Sequence, residues 1–138
     1  MLEALLRPRR IVHAHCDLPC GVYDPAQARI EAESVKAIQQ RYQDAEKMKT
    51  AGESVEDYRA RCLVIKEERA DLVKHHLWVL WTDYFKPEHL EKHPTLHDLF
   101  WKATKEAGLA KKAQDPAQGQ KLLDAIDEVG KIFKATKS

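Results

Sequence analysis

Residues 24–45 read DPAQARIEAESVKAIQQRYQDA. Asp24 can cap a helix, Pro25 suits a first helical position, and Gln27 stands where a capping box would close. Behind that start, Ala28, Glu31, Val35, Ile38, Tyr42 and Ala45 follow in steps of three and four. That spacing stacks side chains on one helical face. Residues 50–54 break the pattern, with Gly52 as the stop signal. The tetrapeptide DPAQ returns word for word at residues 115–118, followed by the apolar stripe Leu122, Ile126, Val129 and Phe133. The repeat is read as shared capping chemistry, not as a duplication.

Two further helices fit between these. One begins near Ser54, with Asp57 in box position, and carries the stripe Tyr58, Cys62, Ile65, Arg69, Leu72, His76 and Val79. It is expected to run to about Tyr84, where Lys86-Pro87 ends it. Residues 87–94 read as irregular or a short turn. Thr95 can cap the other helix, with Leu96, Leu99, Phe100, Ala103 and Ala107 inward and an end near Gly108. No segment alternates with period two. The expectation is an all-α fold, an antiparallel up-down four-helix bundle over residues 25–138.

Composition narrows the class. The 138 residues are 43% hydrophobic and 33% charged, as in a helical globular protein with no span long enough for a bilayer. A net charge of +1 gives no global basic field to hold nucleic acid. Three cysteines are an odd count and make no disulfide framework, which points to a reducing compartment and a cytoplasmic location. Residues 1–14, MLEALLRPRRIVHA, carry Arg7, Arg9 and Arg10 against Glu3. Their arginines follow the apolar residues, the reverse of a secretory signal.

Residues 13–25, HAHCDLPCGVYDP, crowd soft-ligand chemistry ahead of the first helix. Cys16 and Cys20 lie four apart, with Pro19 and Gly21 shaping a tight loop. A disulfide, two ordinary thiols and a metal hook compete. His15, directly before Cys16, favours the hook. A chain beginning at His15 would offer an amine, an imidazole, the Cys16 amide nitrogen and two thiolates. Amine and adjacent amide chelate in one plane and the thiolates fill the other corners. Such a nitrogen–sulfur square suits Ni(II) or Cu(II), and its strong donors suit one-electron redox better than hydrolysis. Glu31 and Arg69, opposite charges on two apolar stripes, read as a pair held for a purpose.

HCDLPCGVYDP at residues 15–25 resembles the metal hook of nickel-dependent superoxide dismutases. The similarity continues through ARIEAESVKAIQ, VIKEERADLVKHHLWVLWTDYFKP and DPAQGQK, so it covers most of residues 15–138. It departs around residues 47–58, longer than the family pattern at the first helix connection. The resemblance implies a homohexamer of four-helix protomers, one nickel ion per subunit and superoxide as substrate. The products are dioxygen and hydrogen peroxide, formed by one-electron Ni(II)/Ni(III) cycling. It also implies a leader, residues 1–14, cut off by a processing peptidase to leave a hook over residues 15–24.

Carried over by residue, His15 supplies the amine and an axial imidazole, Cys16 an amide nitrogen and a thiolate, and Cys20 the second thiolate. Asp17 holds the hook's fold, Tyr23 gates small anions, Tyr84 stands beside it, and Glu31 with Arg69 orients the imidazole. Lys74 and Lys86 either steer the anion or are ordinary solvated lysines. The competing reading is a nickel or copper carrier, or a thiol sensor, that holds metal without turnover. A plain assembly protein with incidental cysteines would keep its function with Cys16 and Cys20 replaced by serine. Cys62 reads as a small core residue, His76 as packed and His75 as exposed. His89, His93 and His97 are interrupted by Pro94 as a metal set. Trp78, Trp81 and Trp101 read as core or subunit interface, the latter favoured by a second helix that is apolar on more than one face.

Overall fold

The computed structural model describes residues 21–137. Four long helices form the body: α1 (Ala26–Gln43), α3 (Val55–Val79), α5 (Leu96–Lys112) and α6 (Pro116–Ala135). A single turn, α2 (Ala45–Met48), and a short helix, α4 (Pro87–Lys92), sit in the connections. Among the described residues there is no strand. Helix α1 packs on α3 and α6, and α5 packs on the same two. Each long helix therefore touches the next in sequence and the last returns to the first, the up-down bundle expected.

The helix starts show why these residues fold locally as they do. Asp24 Oδ1 accepts from Ala26 N at 2.8 Å and Asp115 Oδ1 from Ala117 N at 2.9 Å, so the two DPAQ words cap in the same way. Ser54 Oγ accepts from Asp57 N at 3.0 Å and opens α3. Each cap satisfies a backbone donor that the helix itself leaves over. Gly52 takes φ +85, which admits the tight turn before it. Glu53 then folds back, accepting from Thr50 N at 3.1 Å and from Arg61 Nη1 at 2.5 Å. The connection around residues 50–54 is thus tied to the first turns of α3.

Leu77, Leu96, Phe100, Leu122, Ile126, Val35, Val73 and Val129 are the largest apolar side chains fully removed from solvent. Each such burial stabilises by roughly 1.5–3 kcal/mol against leaving the side chain in water. Ala28, Ala32, Ala70, Ala103, Ala107 and Ala110 are also fully buried, small residues that let the helices approach. Closest is α1 on α6. A Cβ placed on Gly119 would lie 2.5 Å from Gln39 Oε1, 2.7 Å from Lys36 Cβ and 2.8 Å from Lys36 Cα.

Several expectations need correction. The inward face of α3 is Cys62, Lys66, Ala70, Val73 and Leu77, one position on from much of the anticipated stripe. Ile65 and Leu72 are exposed at 40% and 36%. In α1 the buried set is Ala28, Ala32, Val35 and Gln39, and Ala45 belongs to the separate turn α2. Helix α5 runs past Gly108 to Lys112, because one glycine costs about 1 kcal/mol and the buried Ala107 and Ala110 flanking it outweigh that. No side-chain bond from Thr95 caps it. Residues 87–92 are helical, opened by Lys86 N donating to His89 Nδ1 at 3.1 Å. Gln27 closes no box at α1, and Gln118 donates instead to Glu106 on α5.

Two buried polar groups stand at the end where α1 and α5 finish. Gln39 Nε2 donates to Ala110 O and Ala113 O at 3.1 and 3.2 Å, and Lys66 Nζ donates to Ala113 O. Lys66 is 2% exposed, and desolvation lowers its pKa from the ordinary lysine value.

Gly119→Ala is expected to lower stability by about 1–3 kcal/mol, since two packed backbones must part. Gly108→Ala meets nothing nearer than Lys74 Nζ at 3.6 Å and is expected to raise stability by about 0.5–1 kcal/mol. Thermal melts of both variants check the pair. Lys66 also predicts a slope. Its folded-state pKa lies below its unfolded one, so on the alkaline side, up to the unfolded value, the unfolded chain binds the extra proton. Wild-type stability should therefore rise with pH across that window relative to Lys66→Met, as read by urea midpoints. A constant difference between the two would contradict it.

Candidate metal and substrate site

The chain enters the bundle at the end where α1 begins and α3 and α6 finish. Helix α3 does not stop as an ordinary α-helix there. Residues Leu80–Tyr84 form a widened π-type turn, with Phe85 N donating to Leu80 O at 3.1 Å, five residues back. Such turns re-aim side chains and recur at functional sites. Here the turn delivers Tyr84 to the bundle's end. Its ring lies 5.8 Å from Tyr23, 4.6 Å from Phe133, 5.0 Å from Phe85 and 5.8 Å from His89, the last nearly parallel at 19°. Tyr23 and Tyr84, expected side by side, are brought together three residues after Cys20.

Glu31 and Arg69 are also brought together. Arg69 Nη1 lies 3.1 Å from Glu31 Oε2 and 3.3 Å from Oε1. The pair sits on the α1–α3 seam, and its placement corrects the expectation of a core-facing charge pair. The Glu31 side chain is 16% exposed and the Arg69 side chain 40%, so the guanidinium reaches out of the seam. One nitrogen serves both carboxylate oxygens, which leaves the other N–H groups of Arg69 directed elsewhere. The two pairs are not one cluster. Arg69 and Tyr84 are fifteen residues apart on a continuous helical run, roughly 20 Å along its axis.

His15, Cys16, Asp17 and Cys20 lie outside the described residues. Among the described residues no group of three or more His, Cys, Asp or Glu side chains could hold a metal ion. His97 Nδ1 instead accepts from Trp81 Nε1 at 2.9 Å, and His89 caps α4 through Nδ1. Cys62 is buried, and burial raises its thiol pKa, so it is a core residue as expected. His76 is half-buried and His75 exposed. Lys74 lies across Gly108 of α5, its Nζ 3.6 Å from the position a Cβ there would take. Lys86 is exposed before α4. Of the tryptophans, Trp78 and Trp101 are 50% and 61% exposed and Trp81 is 38% exposed. None belongs to the protomer core.

The described residues thus form a helical bundle with two tyrosines at one end, where the chain arrives from Cys20. The profile described as nickel-containing superoxide dismutase matches residues 10–137. The chain belongs to that family. It is 56% identical over 137 residues to "Superoxide dismutase [Ni]" of Streptomyces coelicolor, spanning 99% of this chain and 98% of that protein. Identity and coverage are the same for the protein of that name in Streptomyces seoulensis. The native structure of a nickel superoxide dismutase superposes with a TM-score of 0.77 at 58% identity, over 89% of this chain and 98% of the solved one. A structure with nickel ligation corresponding to the oxidised state gives 0.79 at 57% identity, with the same coverage.

The missed feature is Thr136. Its hydroxyl lies 2.8 Å from Tyr84 Oη and 2.7 Å from Phe133 O. Nothing in the spacing of ATKS at the chain's end marks it.

If Glu31 and Arg69 act as a unit, the variants Glu31→Gln and Arg69→Met are not additive. A double-mutant cycle on urea unfolding should give a coupling of about 0.5–1 kcal/mol, the scale of a half-exposed pair. Additive losses would show that the two charges do not depend on each other.

Proposed function

We propose that this chain disproportionates superoxide to dioxygen and hydrogen peroxide at a nickel ion held by residues 15–20, one ion per subunit. The observation that carries the reading is the tyrosine pair, Tyr23 against Tyr84 at 5.8 Å, at the point where the chain leaves Cys20. The donor set fits nickel by its chemistry: the amine and imidazole of His15, the amide nitrogen and thiolate of Cys16 and the thiolate of Cys20 would hold it. Bound there, nickel supplies a one-electron couple. Everything else falls to the chain. Tyr23 stands at the entrance and admits a small anion, Tyr84 backs it, and Asp17 holds the turn of the hook.

Glu31 and Arg69 are assigned to the imidazole. The assignment follows the resemblance, and the guanidinium, with one nitrogen on Glu31, has further N–H donors. Fixing the second nitrogen of a ligand imidazole sets its ring plane and basicity.

Residues 1–14 are read as a leader, 15–24 as the hook and 25–138 as the bundle. The curated relatives match 99% of this chain, and the two solved chains described above match 89%, a shortfall the size of residues 1–14. While Ala14 stays bonded to His15, the first nitrogen ligand is an amide and a poor donor. A processing peptidase is therefore part of the reading. So is a homohexamer, which would cover the exposed Trp78, Trp101, Val64 and Leu109. No helix among the described residues is long and apolar enough to cross a membrane. A cytoplasmic setting is inferred from the need to keep both hook thiols reduced.

The test compares full-length chain with chain beginning at His15, each alone and with Cys16→Ser or Cys20→Ser. Chain beginning at His15 is expected to bind one nickel and consume superoxide, and the full-length chain and both serine variants to do neither. Circular dichroism should stay helical throughout. Equal activity with and without residues 1–14 would remove the amine from the ligand set. Nickel bound without superoxide consumption would favour a carrier.

A further inference from the structure

His89 is held in two ways. Its Nδ1 accepts from Lys86 N at 3.1 Å, the bond that opens α4. Its ring lies over Tyr84, 5.8 Å between centroids and 19° from parallel, and stands edge-on to Phe85 at 5.8 Å and 88°. A backbone N–H can only donate, so Nδ1 carries no proton, and the neutral imidazole keeps its one proton on Nε2. The bond restrains the ring as well as the helix. His89 stands three residues after the cap position and reaches back to the N–H there, as a capping-box side chain does.

We propose that His89 is a positioning residue for the reaction: tied to the start of α4 through Nδ1, its imidazole sets the ring plane of Tyr84. This rests on the reading above that Tyr84 lies beside the catalytic centre.

The surroundings show why Tyr84 depends on such a contact. It is the last residue of the π-type turn, and Phe85 after it is already extended. In a regular helix the neighbours three and four residues away flank a side chain on both sides. Tyr84 ends its helical run and has no such neighbours ahead of it. Phe133 on α6 meets its ring at 4.6 Å and 43°, and Phe85 meets it edge-on at 5.0 Å and 87°. Both are buried core residues that serve the bundle whatever Tyr84 does. Of these three rings, His89 is the one nearly parallel to Tyr84, so it covers a face. Offset stacking at this separation is worth more than the area it buries. A phenylalanine in this place would stack and cap nothing, and a glutamine would cap and offer no face. Histidine joins the two tasks, so the orientation of Tyr84 is referred to the backbone at the start of α4.

The test uses protein beginning at His15, with 15N-labelled histidine and with tyrosine carrying 13C at the ring carbon bonded to oxygen. In the metal-free wild type, His89 is expected with its proton on Nε2. A proton on Nδ1 would overturn the cap, and this reading needs no variant to fold. His89→Gln keeps an acceptor for Lys86 N and loses the ring, whereas His89→Phe keeps a ring and loses the acceptor. Both are expected to shift the Tyr84 resonance and, once loaded with nickel, to lower turnover per nickel by about fivefold, the scale of one aromatic pair. A role in capping alone would leave His89→Gln at wild-type turnover. A role in packing alone would leave His89→Phe there. Either result overturns the proposal. Tyr84→Phe separates it from the site reading. Unchanged turnover in Tyr84→Phe would place that residue away from the centre and end both. Reduced turnover there, with His89→Gln at the wild-type level, would end the positioning claim alone.

Discussion

The start of α1 and the finishes of α3 and α6 meet at one end of this bundle, and that convergence is the constraint on which the rest is built. Antiparallel packing of α1 against α3 and α6 sets the start of α1 beside the finishes of the other two. Tyr23, Tyr84 and Phe133 come from those three places and share one aromatic cluster. In the proposed reading the hook of residues 15–20 docks against this end. It needs a surface whose geometry is settled by something larger. The alanine-lined seams supply this: small residues on α1, α3 and α5 bring the helices close enough for the bundle's end to be rigid.

The fold was legible where a helix has one apolar face. In α6 the stripe Leu122, Ile126, Val129 and Phe133 is buried at every position, because the other faces are polar and offer no competing phase. In α3 the run around LWVLW is apolar on more than one face, and the stripe that periodicity picks is not the one that faces the core. Ile65 and Leu72, chosen as core, belong instead to the exposed apolar surface of the protomer. Periodicity finds an apolar stripe without saying what it packs against. Lys66 and Gln39 were illegible for the opposite reason. Their burial depends on the carbonyls at the end of α5, groups far along the chain that no local pattern reveals.

The site divides along the same line. The hook residues stood out because histidine and cysteines crowd one short stretch, and Glu31 and Arg69 because charge interrupts a stripe. Both signals are local in sequence. Bringing Glu31 and Arg69 within 3.1 Å required the α1–α3 seam, yet two opposite charges on neighbouring helices already implied it. Thr136 carries no such mark. Its hydroxyl meets a carbonyl three residues back and a phenol fifty-two residues away. The π-type turn at Leu80–Tyr84 is equally silent, since its residues would suit an ordinary helix.

The division of labour between hook and bundle has an energetic logic. The described residues close bonds of their own: Tyr84 to Thr136 and Thr136 to Phe133 at the bundle's end, and Arg69 to Glu31 on the α1–α3 seam. None of these bonds involves residues 15–20. In the proposed reading, binding energy from the thiolates and nitrogens of residues 15–20 would be spent on ordering those residues and not on assembling a floor beneath them. In that reading the scaffold is set by its own packing. That fits a reaction with a small, weakly held anion, whose own contacts are too few to reorganise the protein during turnover.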